Sequence, residues 1–350
     1  MTYQGIFMRQ FVGNVPDGPR GGWADSPDIM PFGTSLAPDP TALTQQANYN
    51  KQYAQTITIT QWNNVYMRGI NASAGAQSAN IYMYYTESDL MLWPSNWHGA
   101  NDPNVNWGGN QQKTPQNYAP VSAQSQNQIV VTNPPMMWKP PPFTSSGPYN
   151  HYCLITWVDT GNNPPPNFST MGGMTLDDLN NYIVAHPNIS TRNTTDAVGT
   201  PASCMGGTRF STGASPMSVQ IYVAFPGFPK DGSFAVQVPG TDSSNTISLP
   251  QTPIPAHADG MTWLVNYPAN FPTSLTVSYW QGATPPPSGS KIIAQAQIPQ
   301  NSESIRMLRE RFPGRRLPVV LMPSYNSQGL VGDFTPVIVV GSQSWTLPKS

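Results

Sequence analysis

The sequence predicts an all-β protein: two Ig-like β-sandwich domains with long Pro-, Gly- and Asn-rich loops and one or two short helices. Three observations carry this. Short alternating apolar and polar runs recur along the 350-residue chain, separated by turn formers that include 39 Pro and 29 Gly. Charged residues make up only 9%, against roughly 25% in ordinary globular domains. Aromatic residues are nevertheless plentiful, with 10 Trp, 15 Tyr and 12 Phe, which separates this composition from that of a disordered chain. The length accommodates two domains, divided here as residues 1–205 and 206–350.

In chain order, residues 1–55 hold turn formers with little periodicity, apart from Gly21 to Ile29, a turn leading into a short strand. Ile57 to Asn71 and Asn80 to Thr86 read as strands joined by the small, polar hairpin connection Ala72 to Ala79. Leu90 to Ser125 is a long polar excursion carrying Trp93, Trp97 and Trp107. Loops of that length usually serve function or assembly. Gln128 to Thr132 is a strand, and Met136 to Pro142 leads by a stiff Pro-rich link to Asn150–Asp159. There Cys153, Ile155 and Trp157 point one way, and Tyr152, Leu154, Thr156 and Val158 the other. Two apolar faces predict a central strand covered on both sides. Thr175 to His186 reads as a helix capped by Thr175, with Asp177 and Asp178 in its first turn and Pro187 closing it.

From Arg209 the alternation resumes in Val219–Phe225, Phe234–Val238, Thr262–Tyr267, Leu275–Tyr279 and Ile292–Ile298, which predicts the second sandwich. Ser302 to Phe312 reads as a short helix (302–312) capped by Ser302, followed by strand-like runs Pro318–Met322 and Pro336–Val340.

Chemistry is sparse. A net charge of −1 provides no field for nucleic acid or an anionic membrane, and no apolar run reaches the roughly 18–20 residues of a membrane span. Met1 to Arg9 lacks a secretory pattern, so an extracellular place implies a removed leader, leaderless export or a released particle. Cys153 and Cys204 make no disulfide framework, and Cys153 reads as a small buried hydrophobe. A Cys153→Ser change is then expected to cost about 1–3 kcal/mol through a buried hydroxyl. The histidines, at 98, 151, 186 and 257, show no metal-ligand spacing, and no nucleophile or phosphate-loop motif stands in context. Asp25 and Asp28 flank Ser26-Pro27 as a capped turn, with too few oxygens for Ca²⁺. No catalytic residue, metal or cofactor is expected. Arg306, Arg309, Arg311, Arg315 and Arg316 read as a solvated helix face or subunit contact, with Arg306–Glu310 an i,i+4 pair. The N-x-S/T triplets at Asn71, Asn167, Asn188 and Asn193 read as chance matches.

The aromatic excursion is the exception. Trp97, Trp107 and Tyr118 stand among amides that include Asn106 and Asn110. Flat rings stack on the apolar face of a pyranose while amides bond its hydroxyls, so these five residues are the candidate ligand site. The competing reading is that Trp93 and Trp97 pin the loop to the sandwich and leave Trp107 and the Asn-rich part exposed.

Several motifs in order resemble bacterial CARDB-like domains, the Ig-like adhesion-related modules: Trp23-Ala24-Asp25-Ser26-Pro27-Asp28-Ile29, Asn64-Val65-Tyr66-Met67-Arg68-Gly69-Ile70-Asn71, Asn80-Ile81-Tyr82-Met83-Tyr84-Tyr85 with Trp93-Pro94-Ser95-Asn96-Trp97, His151-Tyr152-Cys153-Leu154-Ile155, and Ile189-Ser190-Thr191-Arg192-Asn193. The resemblance spans roughly residues 20–200. It implies an Ig-like sandwich used for adhesion, display or spacing, and no catalytic residues. The expectation is a non-catalytic adhesion or recognition protein whose partners are cell-surface glycans or other protein subunits. The alternative is a structural subunit of a phage-like or injection-type particle, in which the chain is an oligomer.

Overall fold

The computed structural model describes residues 3–18, 24–53, 55, 57–87, 90–110, 114–142, 152–194, 203–256, 259–287, 289–313, 317–325 and 331–346. Trp23, His151, His257, Arg315, Arg316 and the Cys204 side chain lie outside the described residues. Four antiparallel sheets form a β-sandwich-type all-β fold, as the alternation predicts.

The first half contains β1 (Ile6–Phe7), β2 (Ile29–Pro31), β3 (Asn63–Asn71), β4 (Gln77–Glu87), β5 (Val105–Trp107), β6 (Tyr118–Ala123), β7 (Ile129–Val131), β8 (Met136–Trp138), β9 (Tyr152–Asp159), helix α1 (Leu176–Ala185) and β10 (Ile189–Asn193). One sheet runs β1-β3-β8-β5, with β2 and β7 also paired to β3, and the other runs β10-β9-β4-β6. Between them lies a core built from Val65, Met67, Met136 and Trp138 of the first sheet and Ile81, Met83, Leu154 and Val158 of the second.

All eight residues of β9 are buried. Tyr152, Leu154 and Val158 face this core, whereas Cys153, Ile155 and Trp157 face a second cluster with Tyr84, Trp97, Phe168 and Tyr182. The two-sided strand expected from the sequence is therefore present, and α1 and its preceding loop cover its outer face. In α1, Thr175 Oγ1 accepts from the Asp178 N–H at 3.1 Å and Asp178 Oδ2 accepts from the Thr175 N–H at 2.9 Å, a reciprocal cap.

The turn at Asp25–Asp28 ties this half together. Asp28, fully buried, accepts from Arg9 Nε at 2.9 Å, Arg9 Nη2 at 2.6 Å and Arg68 Nε at 3.1 Å. Arg68 also donates to the carbonyls of Asn48 (3.0 Å) and Tyr49 (2.8 Å), and the Tyr49 ring lies 3.5 Å from the Arg9 guanidinium. Asp25 pairs instead with Lys291 Nζ at 2.6 Å.

The second half contains β11 (Ser203–Ser211), β12 (Met217–Ala224), β13 (Ser233–Val238), β14 (Ile247–Pro253), β15 (Gly260–Tyr267), β16 (Pro272–Trp280), β17 (Lys291–Pro299), helix α2 (Ser302–Arg311), β18 (Val319–Tyr325) and β19 (Val331–Thr346). Its sheets run β11-β16-β13-β14 and β15-β12-β17-β19-β18. Their core takes Phe234, Val236, Leu275, Val277 and Tyr279 from one sheet and Val219, Ile221, Val223, Ile292 and Ile338 from the other. Leu90, Met91, Trp93, Leu176, Leu179 and Val184 of the first half belong to the same core. The Leu90 N–H bonds the Arg209 carbonyl at 2.9 Å and Trp93 Nε1 donates to the Ser211 carbonyl at 3.1 Å.

Several expectations are corrected. The strand expected from Ile57 begins only at Asn63. The excursion Leu90–Ser125 contains β5 and β6, and β6 alternates with Ala119, Val121 and Ala123 inward. The cap of α2 is Asn301, whose Oδ1 accepts from the Ser304 N–H at 2.8 Å, not Ser302. Arg306 does pair with Glu310, and also with Glu303, on an exposed face where such pairs contribute little. Three edge strands carry prolines, Pro120 in β6, Pro250 and Pro253 in β14 and Pro323 in β18. Each lacks an N–H to offer a further strand.

Two outcomes are expected in urea unfolding. Asp28→Asn leaves two buried guanidinium groups without their anion and lowers stability by about 3–5 kcal/mol. At Gly341 a Cβ would stand 1.6 Å from the Leu90 carbonyl oxygen, whereas at Gly75 it would meet nothing within 4 Å. Gly341→Ala therefore costs at least about 1–3 kcal/mol, and Gly75→Ala stays within about 0.5 kcal/mol.

Candidate functional site

The five predicted ligand residues fall in two places. Trp107, Asn106 and Asn110 lie at the edge of the first sheet. Asn106 Oδ1 accepts from the N–H groups of Trp107 (3.0 Å) and Gln116 (3.1 Å) and from Asn110 Nδ2 (3.0 Å). Trp107 Nε1 donates to the Pro134 carbonyl at 2.9 Å, and its ring covers Gly109 so closely that a Cβ there would lie 2.4 Å from it. These polar groups shape the loop.

Trp97 and Tyr118 belong to a second place, the outer face of the sheet β10-β9-β4-β6. Along β4, Tyr82 and Tyr84 share that face, and Tyr118 stands opposite Tyr82 in the register, with ring centroids 5.0 Å apart at 40°. Trp97 is buried against Phe168 at 4.8 Å, and Phe168 meets Tyr84 edge-on at 4.9 Å. Beside these rings opens a groove of about 800 Å³, with Tyr82, Tyr84, Trp97 and Phe168 on its floor and side. Asn101, Asp102 and Asn117 form one wall, and Pro164, Pro165, Pro166 and Asn167 the other.

The local chain explains this shape. Gly99 allows the loop to press on the sheet, since a Cβ there would stand 2.7 Å from the Met83 carbonyl. Asn101 turns the chain with a φ of 60°, a conformation that asparagine tolerates better than most residues. Asp102 Oδ2 accepts from Tyr85 Oη at 2.7 Å and its Oδ1 from the Asn104 N–H at 2.8 Å, which anchors the loop. Burial pushes the Tyr84 phenol up to about 12, and burial followed by nearby Asp159 and Tyr118 raises that of Tyr82. Both phenols are therefore neutral, hydroxyl-bearing rings throughout the physiological range. Asn101 and Asn167 are exposed. The groove thus offers stacking surfaces and uncharged hydrogen-bonding groups.

Nothing in the sequence marks Tyr82, Tyr84, Asn117 or the 164–167 wall as site residues, whereas Asn101 is one of the amides of the aromatic excursion. The tyrosines read as ordinary strand residues, and Pro164–Asn167 reach the groove from beyond β9.

The residues of β9 serve the fold. Cys153 Sγ donates to Asn193 Oδ1 at 3.2 Å and accepts from Gln343 Nε2 at 3.3 Å, so its surroundings are more polar than a small buried hydrophobe implies. Asp159 Oδ1 accepts from the N–H groups of Gly161 and Asn163 at 2.8 and 3.0 Å, and Trp157 Nε1 donates to the Asn163 carbonyl at 2.8 Å. Among the described residues no group of three or more His, Cys, Asp or Glu is placed to hold a metal ion.

No protein-family model matches the sequence, and no curated protein matches it. Among solved structures, a red sea bream transglutaminase matches with 11% identity over 85% of this chain and 30% of its own, at a TM-score of 0.20. A mutant of the CFA/I enterotoxigenic E. coli adhesin CfaE matches with 9% identity over 100% of this chain and 92% of its own, at a TM-score of 0.16. Neither overlap is close enough to carry an argument.

The amides around Cys153 revise the expectation for Cys153→Ser. A serine hydroxyl inherits both partners, so the change should cost under about 1 kcal/mol in chemical denaturation, and a loss of 1–3 kcal/mol would show that the thiol contributes chiefly as an apolar group.

Proposed function

We propose that this chain is a non-catalytic recognition protein that binds glycans in the Tyr82–Trp97 groove. The single observation that carries the reading is the groove itself, where aromatic rings and amides from four separate segments converge. Open rings such as Tyr82 and Tyr118 supply the stacking a pyranose needs, and the Asn walls supply hydroxyl partners. The adhesion side of the reading rests on the CARDB-like motif order over residues 20–200.

A second reading, a subunit of a self-assembled structure, is favoured by the hairpin of β18 and β19. Leu321 and Phe334 are 66% and 62% exposed there, and the register places them on one face, since Leu321 pairs with Pro336 and Phe334 with Pro323. Sedimentation over a wide concentration range separates the two readings: assembly that Leu321→Ser and Phe334→Ser abolish supports the subunit.

For recognition, a glycan array should give ligands whose affinity Tyr82→Ala and Tyr118→Ala each weaken by about ten-fold, the scale of one lost ring contact. Trp107→Ala, outside the groove, should leave that affinity unchanged. An array without hits, or hits that respond to Trp107 and not to Tyr82, would sink this assignment.

A further inference from the structure

We infer that the groove selects neutral oligosaccharides and rejects those bearing carboxylates or sulfates, an inference that rests on the glycan reading of the same site. Its basis is the charge around the groove. Of the described residues that line it, Asp102 is the one carboxylate and His98 the one basic side chain, and no Lys or Arg is among them. Both Asp102 oxygens already accept hydrogen bonds, from Tyr85 and from the Asn104 backbone. An anionic sugar entering here would surrender hydration of its charge and find neither Lys nor Arg among the described lining residues in return. It would also approach a fixed negative charge beside low-dielectric rings, where repulsion is larger than in bulk water.

The remaining groups suit hydroxyls. Asn101 and Asn167 are exposed at the rim; an amide both donates and accepts, as a sugar hydroxyl does, and Asn167, whose Oδ1 accepts from the Ser169 N–H and hydroxyl, offers its Nδ2 donors. The tilted pair Tyr82–Tyr118 continues the stacking surface toward the edge strand β6. There the same face continues through Asn80 and Pro120 to Ser78, whose hydroxyl meets that of Ser122 at 2.8 Å. The aromatic and hydroxylic surface therefore runs beyond the groove, so the ligand is a chain of sugars, bound without an ionic contribution.

The test uses the full chain and matched arrays of neutral oligosaccharides and oligosaccharides containing uronic or sialic acid. Neutral chains should bind with an affinity that changes less than about two-fold between low and physiological salt, and their acidic counterparts should bind at least about ten-fold more weakly. Ala100→Lys adds a cation at an exposed position of the lining, and it should narrow that gap by strengthening the binding of acidic chains relative to neutral ones. Acidic chains that bind as tightly as neutral ones, through a Tyr82-dependent site, would overturn the neutrality and leave the glycan reading standing. If neither class binds, the glycan reading falls and the inference falls with it.

Discussion

The first sandwich depends on one buried carboxylate. Asp28 gathers Arg9 from the N-terminal segment and Arg68 from β3, and through Arg68 it fixes the carbonyls of Asn48 and Tyr49 in the intervening loop. Removing two guanidinium groups and a carboxylate from water is costly, and the site offsets that cost by saturation. Arg68 also donates to the Pro27 carbonyl and Arg9 to Asn50, while the Tyr49 ring lies over Arg9. Among the described residues between Pro31 and Asn63, regular structure is confined to two short 3-10 turns. Its path is set by these directed bonds together with an apolar cluster in which Phe32, Ala37 and Leu43 pack against Met30 and Tyr66. The same contact explains why a D-S-P-D-I turn and an R-bearing strand appear together in this sequence: each holds half of one ion pair.

The parts of the fold that were legible in the sequence have strong local periodicity or local caps. Strand β9 has two apolar faces and is covered on both; α1 carries its start signal in Thr175 and Asp178; and Val219, Ile221, Val223 and Phe225 line the second core in the order their spacing requires. Elements that escaped are those in which proline competes with the pattern. Tyr118–Ala123 alternates well, yet Pro120 argues against a strand until β6 is placed at a sheet edge, where one missing donor is harmless. β14, with Pro250 and Pro253, is the same case. The three-residue strands β5 and β8 are held by tertiary partners and carry too little sequence to announce themselves, whereas β2 follows the turn that ends at Ile29 as expected.

For the candidate site, the sequence offers residue types and not their arrangement. Of the candidates, Trp97 lines the groove and Tyr118 stands next to it against Tyr82, whereas Trp107, Asn106 and Asn110 form a separate, internally bonded loop. Proximity along the chain grouped these five, but a sheet face groups residues two apart on one strand with their neighbours on the next. That rule brings Tyr82 and Tyr118 together from 36 positions apart and leaves Trp107 on the other sheet. The Pro164–Asn167 wall is invisible to any local reading, since it reaches the groove only after the chain has completed β9.

The insertion of Leu90, Met91 and Trp93 into the second core has a consequence for biosynthesis. On the ribosome the first half emerges with these side chains, and Leu176 and Leu179 behind them, committed to partners not yet made. Val340, which helps close that core, is near the end of the chain. At ordinary elongation rates the delay lasts tens of seconds. Through that interval the nascent protein carries an apolar strip of the kind chaperones shield. The two sandwiches therefore mature as one cooperative unit, and a chain truncated between them would retain an unsatisfied surface instead of a finished domain.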